Sequence, residues 1–166
     1  GILNTATKAE LLSPEKIKEL TNVMTTLNKY AKDSLKNLNV NSCTDITGFS
    51  LIGHSYEMAS GSNKTIEIFT NSLPVLSDAL EFARMGIIPE GMYNNLEYLK
   101  DLFTYSSNIT QEMKDILLDP QTSGGLLLSM PEKDALEYVS RMELYNPWTR
   151  IIGEVTDKKD YSIIIK

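Results

Sequence analysis

Asp119-Pro120-Gln121-Thr122-Ser123-Gly124-Gly125, followed at once by Leu126-Leu127-Leu128, is the stretch on which the fold of this chain turns. Pro120 pushes Asp119 out of the helical region and supplies no backbone donor, so a helix predicted over 111–118 ends there. Gln121, Thr122 and Ser123 offer side-chain donors and acceptors, and Gly124 and Gly125 permit backbone conformations or close approaches that a Cβ atom forbids. The leucines then read as a buried strand. Two readings of the loop stand side by side. It is a nest of amides that presents polar atoms to an anion, or a helix-to-strand connection with ordinary turn chemistry. No Lys-Ser or Lys-Thr follows the glycines, which excludes a Walker-type loop.

A second polar segment, Cys43-Thr44-Asp45-Ile46-Thr47-Gly48-Phe49-Ser50-Leu51-Ile52-Gly53-His54, lies earlier in the chain. Together the two segments resemble the C-terminal half of the selenophosphate synthetase (selenide, water dikinase) family, whose patterns read roughly Thr-Asp-Val-Thr-Gly-Phe-Gly-Leu-Leu-Gly-His and Asp-Pro-Gln-Thr-Ser-Gly-Gly-Leu-Leu. Further matches fall in order at Gly1-Ile2-Leu3 with Thr5-Ala6, at Ile88-Pro89-Glu90-Gly91 with Asn94, and at Ile152-Gly153-Glu154-Val155. The resemblance thus covers nearly the whole chain. Ser50 departs from it, standing where glycine is usual.

That resemblance implies an α+β fold: a layered domain with a mixed β-sheet covered by helices, like the C-terminal domain of aminoimidazole ribonucleotide synthetase. It implies a single domain over 1–166, the C-terminal part of an enzyme about twice as long. The reactive Cys or selenocysteine, a nearby Lys and most of the aspartates that hold magnesium and ATP belong to the family's N-terminal half. No catalytic nucleophile is therefore expected here, and the chain alone is expected to be inactive and to hold neither Mg2+ nor ATP tightly. Its partners by the same resemblance are its own N-terminal ATP-binding domain and a second copy in a homodimer. Asp45 is the one expected metal ligand, reaching across to the N-terminal aspartates. Thr44, Thr47, Gly48 and His54 support that motif, and Asp119, Gln121, Thr122, Ser123, Gly124 and Gly125 form the signature loop.

From the residues alone, Asp45 reads first as an N-terminal helix cap assisted by Thr47, and it is the resemblance that makes it a metal ligand. His54 is either held by hydrogen bonds beneath the motif or set near a cleft, where an imidazole suits proton handling at neutral pH. The signature loop either orders phosphate-bearing groups or shapes an interface between halves.

Composition narrows the class. The chain has 166 residues, 42% of them hydrophobic, and a net charge of −6. It contains no apolar run near the ~18 residues that span a bilayer, so the expectation is a cytoplasmic protein without a membrane segment. Lysines are dispersed among acids, as in Asp157-Lys158-Lys159-Asp160, which leaves no electrostatic footprint for nucleic acid. One cysteine and one histidine exclude an internal disulfide and a zinc cluster. Cys43 is expected to be a small buried thiol.

Hydrophobic spacing predicts one long amphipathic helix from Ile17 to Leu38, with Ser13 as N-cap and Pro14 at its first position. A short strand over 40–43 feeds the aspartate motif, and a helix carrying Phe49, Ile52, Tyr56 and Ala59 ends near Gly61. The alternation of Ile66 and Ile68 against Glu67 predicts a strand over 65–70 with one covered face. Pro74 opens a helix that Gly86 caps. Residues 87–95 read as irregular, 96–103 as a short helix, and Pro131 as the start of a helix through Leu136 and Val139. The β-branched runs 150–155 and 161–165 read as a terminal hairpin. Roughly five strands and six helices in irregular order suit α+β layers.

Three functions remain open. The domain supplies a metal ligand and closes an active site, or supports the ATP-binding half without touching nucleotide, or belongs to a sibling ATP-dependent enzyme acting on a purine intermediate, a thiamine phosphate or a carbamoyl adduct. The intact signature loop argues against the last.

Overall fold

Six strands divide between two separate sheets in the computed structural model, which describes residues 1–166. The strands are β1 (Ser42–Asp45), β2 (Lys64–Ile68), β3 (Phe103–Tyr105), β4 (Leu126–Ser129), β5 (Gly153–Asp157) and β6 (Ile163–Ile165). Eight helices surround them: α1 (Ile2–Lys8), α2 (Pro14–Thr25), α3 (Lys29–Asp33), α4 (Ser50–Gly61), α5 (Ser77–Arg84), α6 (Glu90–Leu99), α7 (Gln111–Leu117) and α8 (Glu132–Met142).

The larger sheet runs β3-β6-β2-β5, with β6 parallel to both neighbours and β5 antiparallel to β2. This is the mixed sheet of an α+β domain. Ile68, Phe103, Ile163 and Ile165 pack against Ile52 and Ala59 of α4, Met92 and Leu99 of α6, and Leu117 and Leu118 at the end of α7. On the other face of β2, Glu67 is buried beneath Lys159 and Lys166, which both bond its carboxylate. Those lysines, Lys159 foremost, hold the Glu67 carboxyl below the usual carboxylate range.

The expected terminal hairpin is not formed. β5 and β6 lie on opposite sides of β2, and their composition explains it. Ile163 and Ile165 are fully buried and need neighbours on both sides, whereas Glu154, Val155 and Asp157 of β5 are exposed, as suits an edge. The connection wraps over the start of β2, where Thr65 Oγ1 accepts the Lys159 N–H and donates to the Tyr161 carbonyl.

The expected long helix from residue 17 to 38 is two helices. Thr25 and Thr26 hydroxyls both bond the Asn22 carbonyl, and Thr26 turns extended, so local side-chain bonds end α2. Ser13 does cap α2 through the Lys16 N–H, with Pro14 at its first position. Of residues 87–95, expected to be irregular, only 87–89 are so, and 90–95 are helical. An extended Pro89 leads into α6, whose buried positions Met92, Asn95 and Leu99 follow a helical spacing that the polar Asn95 conceals. The helix expected over 96–103 is helical only to Leu99, as the last turn of α6, and Phe103 instead opens β3, because Phe103 and Tyr105 pair with Ile163 and Ile165. Gly86, at φ +78°, ends the α5 turn as expected.

Candidate functional site

β1 and β4 form a two-stranded antiparallel ribbon, with Asp45 opposite Leu126 and Cys43 opposite Leu128. At its end both sequence motifs leave the ribbon together. The Ile46 N–H donates to the Gly125 carbonyl at 2.9 Å, and the Gly124 N–H returns to the Ile46 carbonyl at 3.0 Å. The Gln121 N–H donates to the Thr47 carbonyl at 3.0 Å. The two motifs are thus one backbone-bonded unit. A Cβ on Gly124 would lie 2.2 Å from the Ile46 carbonyl oxygen, so glycine is required there for close approach. Gly125 has open space around its Cα and an ordinary φ, so the pair is not equivalent.

Asp119 is buried and faces the start of α1. Its carboxylate accepts the Gly1 and Ile2 nitrogens, each at 2.9 Å, and the Gln121 amide at 3.0 Å. Burial pushes its carboxyl above the usual range, against the pull of those donors. Asp119 therefore acts inward, tying α1 to the loop. Gln121 also bonds the Asp119 carbonyl, whereas Thr122 and Ser123 are exposed, Ser123 in the left-handed region at φ +53°.

His54 lies on the first turns of α4. Its Nε2 pairs with Thr47 Oγ1 at 3.1 Å and its Nδ1 with Glu57 at 2.9 Å. Both ring nitrogens are engaged, which fits the histidine held beneath the motif. Phe49 stands edge-on between His54 and Tyr98.

Asp45 ends β1 and is exposed. It does not cap α4: Ser50 opens that helix, Phe49 occupies the cap position, and no side chain caps it. The backbone carbonyl of Asp45 accepts a long contact from Thr44, and its carboxylate stays free. Cys43 projects on the same exposed side, contrary to the expected buried thiol, because the ribbon lacks a cover there. Gly48 is exposed at the turn. β4, expected to be buried, is only half-buried for the same reason.

No group of three or more His, Cys, Asp or Glu side chains in this chain could cage a metal ion. The donor set fits a narrower role. One free carboxylate beside a rigid turn can give one oxygen ligand to a hard cation whose other ligands come from elsewhere.

Residues 4–166 match the family model for the AIR synthase related protein, C-terminal domain. The chain belongs to this family. Selenide, water dikinase of Clostridium botulinum (strain Eklund 17B / Type B) is 64% identical over 166 residues, covering 100% of this chain and 48% of that protein. Selenide, water dikinase of Clostridioides difficile (strain 630) is 44% identical, covering 99% and 48%. Selenide, water dikinase 2 of Peptoclostridium acidaminophilum is 42% identical with the same coverage. This AIR synthase-related domain therefore spans about half the length of the curated relatives it matches.

Two asparagines at the site escaped the sequence reading. In this AIR synthase-related domain the Asn95 amide donates to the Gly48 carbonyl at 3.0 Å and to the Leu118 carbonyl at 3.1 Å, and the side chain is buried. Its neighbour Asn94, the one that entered the family match, is exposed. Asn28, between α2 and α3, donates to the Gly124 carbonyl at 2.9 Å. An asparagine among apolar positions at helical spacing was the available signal for Asn95. For Asn28 the sequence held none.

Proposed function

We propose that this chain is the C-terminal domain of a selenide, water dikinase, an enzyme that converts ATP, selenide and water into selenophosphate, AMP and orthophosphate. The free, exposed Asp45 carboxylate, placed where the two motifs are bonded into one unit, carries this reading. Relatives bearing that name over the full length of this chain support it.

In this reading the domain is a catalytic accessory. Asp45 contributes one carboxylate oxygen to a magnesium site shared with the protein's own N-terminal, ATP-binding half, which carries the nucleophile and the lysine. Magnesium, when bound, offsets charge on the triphosphate during phosphoryl transfer. Thr47, Gly48 and His54 hold the turn from which Asp45 projects, and Asp119, Gln121 and Gly124 fix the opposing loop. Thr122 and Ser123 face outward, towards the incoming half or a phosphate. The full-length protein is a cytoplasmic homodimer in this proposal, and no helix of this chain is long and apolar enough to cross a membrane.

Asp45→Asn in the full-length protein tests it. Asn preserves shape and removes one negative charge, so the melting temperature should barely move, within about 0.5 kcal/mol of stability for an exposed site. Selenide-dependent AMP formation should fall by orders of magnitude, with residual activity demanding more magnesium. Full activity at ordinary magnesium would make the domain a structural support for the ATP-binding half, the reading favoured by the inward bonding of Asp119.

A further inference from the structure

The turn after Asp45 is held by its carbonyls. Those of Ile46, Thr47 and Gly48, three in succession, accept bonds from Gly124, Gln121 and Asn95 respectively. The first two donors are backbone N–H groups of the signature loop, present whatever side chains that loop carries. The third is a side chain from a different element, α6, and the same amide nitrogen gives its second hydrogen to the Leu118 carbonyl, immediately before Asp119. Asn95 therefore grips both motifs at their roots: Gly48 three residues after Asp45, and Leu118 at the entry to the signature loop.

We propose that Asn95 is a positioning residue for the Asp45 site, setting the turn from which that carboxylate projects. The inference rests on the proposed role of Asp45 in a shared magnesium site. Three features carry it. The amide is buried, and its bond to the Leu118 carbonyl is made in a low-dielectric setting where its loss strands that acceptor, while the bond to the exposed Gly48 supplies the direction of the turn. Neither acceptor has a substitute donor from its own loop, since no backbone N–H of the turn or the signature loop bonds the Gly48 or the Leu118 carbonyl. The ribbon itself has no buried residue in either strand, so core packing holds the turn only from Phe49 onward and not on the Asp45 side.

Asn95→Leu keeps the branched shape at a somewhat larger volume and removes both donors, while Asn95→Asp replaces them with acceptors that repel the two carbonyls unless the acid is protonated. In the full-length protein the Leu variant should lose at least about tenfold in kcat, the scale expected from a misplaced catalytic group. The KM for ATP should stay near the parent value, because the nucleotide is held by the other half, and half-maximal activity should need more magnesium. Asn95→Asp should be weakest at alkaline pH and recover partly as pH falls and the buried acid takes up a proton. Hydrogen exchange on the same proteins supplies a readout independent of activity: amides of Ile46, Gln121 and Gly124 should exchange faster, with those of β2 and β6 unchanged.

A parent protein without selenide-dependent AMP formation would sink the functional reading and leave the exchange result to judge the grip on the turn. An active parent, with a Leu variant equal to it in kcat and magnesium demand, would overturn the positioning role. Faster exchange spread through β2 and β6 would also overturn it, by showing that Asn95 serves general stability.

Discussion

The four-stranded sheet and the two-stranded ribbon of this domain are held by different forces. In the sheet, Ile68, Ile163 and Ile165 are 0–1% exposed, and helices α4, α6 and α7 exclude water from one face. In the ribbon no residue of β1 or β4 is buried, and both sequence motifs leave from its open end. The ribbon's geometry comes instead from hydrogen bonds between turns: Ile46 with Gly124 and Gly125, Thr47 with Gln121, Gly48 with Asn95. Burial supplies energy without much direction, whereas hydrogen bonds fix direction and supply little net energy. A site that must present a carboxylate outward while keeping its orientation has reason to use the second.

Substitutions in each region break or sharpen that contrast. Ile163→Ala, in the sheet, removes a fully buried side chain and should cost about 2–5 kcal/mol of unfolding free energy. The remaining folded protein should keep the parent's magnesium demand, and a shift in that demand would mean the two regions are not separable. Gly124→Ala, in the ribbon's turn, drives a Cβ into the Ile46 carbonyl and should cost about 1–3 kcal/mol, the scale of an overpacked site. Calorimetry of both variants ranks sheet against turn directly.

A pH titration comes next. The Glu67 carboxyl is held low by Lys159 and Lys166, so its contribution is fully present above the usual Glu pKa of about 4.3 and is lost as pH falls through its lower folded value. Glu67→Gln should flatten that acid limb of the stability curve. An unchanged acid limb would remove the lysine clamp from the account of the sheet.

Ser50→Gly has a smaller expected effect and the opposite sign. Ser50 sits at φ +68°, a conformation costing about 1–2 kcal/mol for an L residue, while glycine's looser unfolded chain takes back about 0.4–1 kcal/mol. A net gain of about 0–1.6 kcal/mol remains, reduced by loss of the bond that the buried Ser50 Oγ accepts from the Gly53 N–H, and measurable as a slightly higher melting temperature. Least of all, Gly125→Ala should shift stability by no more than about 0.5 kcal/mol, because a Cβ there meets open space. Equal losses at Gly124 and Gly125 would show that the turn needs glycine for flexibility and not for contact.

The sequence made some of this plain and hid the rest for identifiable reasons. The helix stop at Pro120, the glycine cap at Gly86 and the strand of leucines are local chemistry, and each appears where the residues put it. Asp45 was legible as a residue of interest because its motif is long, yet its place at a strand end, not a helix cap, depends on pairing with Leu126 far along the chain. α6 was obscured because Asn95 occupies a position that periodicity expects to be apolar. The separation of β5 from β6 could not be read from two neighbouring β-branched runs, since β2 enters between them from a distant part of the chain. Cys43 looked like a core thiol by residue type. Its exposure follows from the ribbon's missing cover, a property of the assembled fold.

The place of β6 between β2 and β3 also bears on how the chain acquires its shape during synthesis. Ile66 must wait for Ile163, nearly a hundred residues later. At typical translation rates that interval lasts roughly 5–20 s. Until then β2 and β3 have no strand between them, and their open backbone edges are available to other chains. A nascent polypeptide halted before residue 163 should therefore aggregate or recruit chaperones, and emergence of Ile163 to Ile165 should convert this region into a folded domain.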